Sequence, residues 1–192
     1  GGDHSINIPT FKAFLSFCVK EKKIPVLLHI DAHPDMMDEY MGNKFSHACP
    51  ARRALEHGLR EENLVFVGVR GFEKEEVAYF NAHPNIKVFT ACDVHRQGIK
   101  AITAKLVEMY KDPKFAIYVS YDIDANDPSF APGTGTPEAF GLLSTDTLFL
   151  TKNFVMLKNT YALDLVEISP PLDVNNITSW LALKTIYELF YD

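Results

Sequence analysis

Ile24-Pro25-Val26-Leu27-Leu28-His29-Ile30 runs directly into Asp31-Ala32-His33-Pro34-Asp35. The first seven residues are almost continuously apolar and β-branched, which is the pattern of a strand buried on both faces of a parallel sheet. The next five place three ionisable side chains at alternate positions, at the end where open α/β sheets bind their ligands. The same pattern recurs. Short apolar runs at 64–69, 86–90, 115–122 and 162–168 alternate with helical patterns at 9–20, 49–57, 74–81, 99–110, 146–157 and 179–190. This alternation predicts a three-layer αβα fold around a doubly wound, mostly parallel sheet, formed by one domain over residues 1–192.

Three clusters carry metal-ligand residues: Gly1-Gly2-Asp3-His4-Ser5, Asp31-Ala32-His33-Pro34-Asp35 and Asp122-Ile123-Asp124. Alternate residues of an extended segment point the same way, so Asp31, His33 and Asp35 are expected to converge, as are Asp122 and Asp124. Taken singly, each cluster has a plainer reading as a turn or cap. Three ionisable groups beside a buried strand are nevertheless costly unless something compensates them. With His4 the set has four carboxylates and two imidazoles and no thiolate. That suits two hard ions such as Mn²⁺ rather than a structural zinc.

The remaining composition narrows the function. The chain has 192 residues, 47% of them hydrophobic, and a formal net charge of −6. No basic run marks a nucleic-acid surface, and no apolar run reaches membrane-span length. Cys18, Cys49 and Cys92 form no CxxC pair and read as reduced thiols of a cytoplasmic protein. His47 reads either as a proton shuttle or as a helix-start histidine. His29 is expected in the core or behind the ligands, on the face away from His4's partners. His57, His83 and His95 are expected at the surface.

The three clusters resemble the signature motifs of the ureohydrolases, the arginase, agmatinase and formiminoglutamase superfamily. The third motif continues through Ala125-Asn126-Asp127-Pro128 to Gly133-Thr134-Gly135-Thr136-Pro137, and Val166-Glu167-Ile168-Ser169-Pro170 resembles the late acidic motif. The resemblance implies an arginase-like fold with two Mn²⁺ ions. His4, Asp31, Asp35 and Asp122 would hold one, and Asp31, His33, Asp122 and Asp124 the other. Glu167 would anchor a guanidinium, His47 would relay protons and Asp35 would pass one to the leaving nitrogen. The implied reaction is hydrolysis by a hydroxide bridging the two ions, with agmatine giving putrescine and urea. Arginase comes next, then formiminoglutamase, for which Lys44 and Arg70 are the cations in view. A binuclear phosphoesterase lacks its downstream motif here. An inactive metal-binding fragment is the non-enzymatic reading.

Agmatine is favoured because Asp38 and Glu39 make the 36–46 loop acidic. The resemblance further implies a homo-oligomer, a trimer or hexamer. It also implies an N-terminal part, including the strand leading into the first motif, that this sequence does not contain. Residues 1–192 alone are therefore expected to be poorly stable and inactive until that segment is supplied. Phe140 stands where the family's glycine-rich turn is expected, which puts the shape of that loop in question.

Overall fold

The computed structural model describes residues 2–191; Gly1 and Asp192 lie outside the described residues, so the first motif is followed from Gly2. A single five-stranded sheet forms the middle layer, built from β1 (Ile24–Ile30), β2 (Leu64–Val69), β3 (Lys87–Thr90), β4 (Phe115–Asp122) and β5 (Thr160–Val166) in the order β3-β2-β1-β4-β5. Every pairing is parallel. The chain winds outward from β1 through β2 to β3, then returns to β4 on the other side of β1. The crevice between β1 and β4 is thus the topological switch point, where ligands of such sheets bind.

Helices cover both faces. α1 (Asn7–Lys20), α2 (Pro50–Glu56) and α3 (Lys74–Ala82) lie on one side. There Phe11, Phe14, Cys18, Ala51 and Ala54 pack on Leu27, Phe66 and Tyr118. α4 (Ala91–Gln97), α5 (Ile99–Tyr110), α6 (Ser144–Val155) and α7 (Ile177–Phe190) lie on the other. Ile102, Leu106, Leu150 and Phe154 pack there on Val26, Leu28, Val119 and Tyr121. Alternate residues of β1 and β4 serve opposite layers, which is why both strands read as unbroken apolar runs.

Several boundaries shift from expectation. α4 went unpredicted, because its seven residues carry only Ala91 and Val94 into the core. It is set instead by a capping box, in which Thr90 and Asp93 satisfy each other's backbone N–H groups. The last strand ends at Val166 rather than 168. Glu167 lies just beyond it at φ 60, in the left-handed region. Its backbone N–H donates to the carbonyl of Gly2 at 2.8 Å, so the start of the described chain runs alongside the end of β5. No described helix is long and apolar enough to cross a membrane.

Phe140 also takes a left-handed conformation, at φ 61, with its side chain 83% exposed. A β-carbon there costs about 1–2 kcal/mol, and an exposed ring recovers little of it. Phe140→Gly is therefore expected to stabilise the fold by about 0.5–1 kcal/mol after the added freedom of the unfolded glycine is counted. Urea denaturation measures this, and a lower midpoint would mean that the ring packs usefully after all.

Candidate metal centre

The predicted ligands do converge, though by a different local route. Residues 31–33 form bends rather than an extended continuation, and Asp35 sits at φ 53. Ile123–Ala125 is a 3-10 turn capped by the Asp122 carboxylate, which accepts the Asp124 N–H at 2.9 Å. Strand alternation therefore does not aim these side chains; turns at the strand ends do. His4 opens a further 3-10 turn, started by the Asp3 side chain accepting from Ser5 N–H and continuing into α1.

His4 Nδ1 lies 3.2 Å from Asp31 Oδ2, 3.1 Å from Asp35 Oδ2 and 3.1 Å from Asp122 Oδ2. A single ring nitrogen cannot hydrogen-bond three carboxylates at once, and His4 Nδ1 and Asp31 Oδ2 have no hydrogen-bond partner. A six-coordinate hard cation with bonds of about 2.1 Å keeps neighbouring donors about 3 Å apart. The spacing is thus that of a ligand shell. Beside it, His33 Nδ1 lies 3.1 Å from Asp124 Oδ2 and 3.7 Å from Asp31 Oδ1. Two groups of donors result, one with His4, His29, Asp31 and Asp35, the other with Asp31, His33 and Asp124, and Asp31 belongs to both. Asp122 joins the first through its contact with His4.

The electrostatics call for cations. Burial, then repulsion from Asp124 and Asp31, holds the Asp122 carboxyl well above its ordinary value. Burial, then Asp31, raises Asp124. Burial opposes charge on His33, but Asp124 and Asp31 outweigh it and push the ring up to about 12. Asp31 is also buried, yet His29, His33 and His4 hold its carboxyl well below the usual range. Such a set of buried acids is stabilised by positive charge at its centre.

His29 is buried behind the ligands as expected, but the face is not the expected one. It lies on the same side as His4: the two rings stack at 4.8 Å with 2° between planes, and His29 Nε2 is 2.8 Å from Asp31 Oδ2. The signal was available in the sequence, since His29 stands two residues before Asp31 and alternate strand residues share a face.

His4, His33, Asp35, Asp122 and Asp124 line a cavity of about 400 Å³, with Glu167 and His47 also on its wall. The Glu167 carboxylate accepts the His4 N–H at 2.6 Å, and burial, then repulsion from Asp3, raises its pKa. His47 lies outside α2, 42% exposed, with Nδ1 3.6 Å from Asp3 Oδ2. Glu73, Glu76 and Glu138 also line the cavity and were not singled out from the sequence. Glu73 and Glu76 follow the end of β2, so the strand-end rule that flagged Asp31 could have flagged them.

Three other expectations fail. Asp38 is held by Arg53 and Lys44, and neither it nor Glu39 lines the cavity. Lys44 does not line it either. The Arg70 guanidinium turns away and donates to the backbone carbonyls of Gly68, Asp124, Ala125, Asn126, Glu138 and Ala139. It is a clamp on two loops and is not free to meet a substrate carboxylate.

A parallel sheet carrying paired acid–histidine clusters at its switch point defines a class, the arginase family, whose sequence profile matches residues 1–191. The chain belongs to that family. It is 36% identical to a human mitochondrial guanidino acid hydrolase over 98% of its own length and 52% of that protein's. It is 34% identical to a mitochondrial agmatinase of Gallus gallus, covering 98% of this chain and 54% of that one. Among solved structures, proclavaminate amidino hydrolase from Streptomyces clavuligerus superposes with a TM-score of 0.81 at 34% identity, covering 98% of this chain and 60% of that one. The chain thus spans little more than half the length of the curated relatives it matches.

Proposed function

We propose that the protein hydrolyses a guanidinium substrate, agmatine, to putrescine and urea, using two Mn²⁺ ions held by His4, Asp31, His33, Asp35, Asp122 and Asp124. When bound, the ions supply an acidified water as nucleophile for an unreactive, charge-delocalised carbon. The chain's own groups do the rest. Glu167 pairs with the guanidinium and holds its carbon over the cluster. Asp35 takes up the proton released on attack and hands it to the leaving nitrogen. His47, on the wall with an accessible ring, carries protons between that nitrogen and solvent. Asp31 reaches both donor groups, which suits a bridging ligand.

The observation that carries the choice of substrate is the lining of the cavity. Glu73, Glu76, Glu138 and Glu167 line it, and no lysine or arginine does. A substrate ending in a carboxylate finds no lysine or arginine on this wall to pair with, whereas one ending in an ammonium finds glutamates. Glu138 is the freest of these acids, 46% exposed and 3.7 Å from His33 Nε2. The same lining argues against formiminoglutamate, arginine and the guanidino acids.

Urea release from agmatine, arginine and 4-guanidinobutyrate, with Mn²⁺ and with chelator, tests the reading. Agmatine is expected to show the highest kcat/KM and chelation to abolish turnover. Faster release from either acid would overturn the substrate. No urea from any of them, with two ions bound, would overturn the hydrolase.

His47→Asn is expected to lower kcat about 10²-fold with a smaller change in KM. Metal content should be unaltered. An unchanged kcat would return His47 to a structural role.

A further inference from the structure

The hydrogen bonds behind His4 restrict where its ring proton can sit. His4 Nε2 lies 2.9 Å from Ser120 Oγ, and Ser120 Oγ lies 2.7 Å from Asp164 Oδ1. The other oxygen of Asp164 accepts from the Tyr118 hydroxyl at 2.7 Å and from the Asn7 side-chain amide at 2.9 Å. That amide nitrogen also reaches Ser120 Oγ at 3.2 Å. Asn7 and Ser120 are 0% exposed and His4 is 1% exposed, so bulk solvent does not compete for these contacts. The sheet fixes the arrangement, since Ser120 and Asp164 are register partners across β4 and β5.

The donors can be counted. Both Asp164 oxygens act as acceptors, so the short contact to Ser120 takes the hydroxyl's single hydrogen. The two hydrogens of the Asn7 amide go to Asp164 Oδ2 and Ser120 Oγ. Ser120 Oγ then has only acceptor capacity left. Its contact with His4 must be filled by hydrogen on Nε2. An imidazole protonated at Nε2 alone has its lone pair on Nδ1, the atom that faces Asp31, Asp35 and Asp122.

We propose that Asp164, acting through Ser120, is a positioning residue that holds His4 in the Nε2–H tautomer and aims its Nδ1 lone pair at the metal. The inference rests on the reading of His4 as a metal ligand. Neither Asp164 nor Ser120 lines the cavity, and the hydrogen-bonded route from Asp164 to it runs through Ser120 and His4.

Asp164→Asn tests this by reversing the hydrogen-bond polarity. Its amide can donate to Ser120 Oγ, which frees the hydroxyl hydrogen to point at His4 Nε2 and favours the wrong tautomer. Mn²⁺ titration of the chain, followed by electron paramagnetic resonance, is expected to show one ion bound 10–100-fold more weakly and the other unchanged. Ser120→Ala removes the acceptor without presenting a donor and is expected to give a smaller loss at the same ion. The melting temperature of the metal-free variants guards against general damage. Wild-type affinity for both ions in either variant would overturn the relay, as would equal weakening of both ions. A wild type that binds no Mn²⁺ would overturn the metal reading itself, and the relay with it.

Discussion

Asp122→Asn is expected to leave the chain folded while removing most of its bound metal. One Asp122 oxygen faces His4 Nδ1 at 3.1 Å and the other accepts the Asp124 N–H at 2.9 Å. An amide keeps the shape but supplies one poor donor in place of two anionic ones. Mn²⁺ content should fall from the proposed two ions per chain to one or none, and the proposed urea release by at least about 10³-fold, or roughly 4 kcal/mol of barrier. Stability should move the other way. The carboxylate is buried and repelled by Asp124 and Asp31, so the neutral amide relieves the metal-free fold. Metal analysis, a urea assay and a chelator-treated melting curve read all three quantities. Two ions retained at wild-type affinity would sink the assignment.

Arg70→Met should produce the largest loss of stability. The guanidinium ties the turn that carries Asp124 to the 138–139 segment through carbonyls on both sides, with 2.8 Å to Asp124 O and 2.7 Å to Glu138 O. Methionine fills part of the volume but leaves those carbonyls without their donors. Hydrogen bonds from a charged donor contribute about 1.5–3 kcal/mol each, and the stranded acceptors add to the cost. A loss of about 3–5 kcal/mol is expected in urea denaturation, with metal affinity falling because the Asp124 turn is released. Arg70→Lys should rescue little, since one ammonium cannot span both loops. A loss under about 1 kcal/mol would show that the clamp is dispensable.

Much of this architecture was legible in the sequence, for identifiable reasons. β1 and β4 are buried on both faces, so their apolar runs stand out, and the strand-end rule led directly to Asp31, Asp122 and Glu167. The candidate ligand set was visible because acids and histidines beside a buried strand have few other uses. What was not legible depends on contacts distant in sequence. Arg70 looked like a substrate cation because its carbonyl partners lie as much as 69 residues away. Asp38 looked like part of an acidic wall because its pairing with Arg53 is made only in the fold. His29 was legible but misplaced, since alternation along the strand puts it on the same face as Asp31, two residues on. α4 escaped because a short helix set by its cap leaves little periodicity.

The contact between His4 and Glu167 ties two jobs together. The Glu167 carboxylate that is proposed to receive the guanidinium also accepts the backbone N–H of His4, and its own N–H is held by Gly2. Candidate ligand and candidate anchor are therefore tied by two hydrogen bonds between separate stretches of main chain. Loosening His4 disturbs the anchor, and filling the anchor steadies His4. Thermodynamic reciprocity then requires that each occupant tighten the other by the same factor. A guanidinium compound that is never turned over should thus slow the escape of metal into a chelator, acting as a latch on a site it does not ligate.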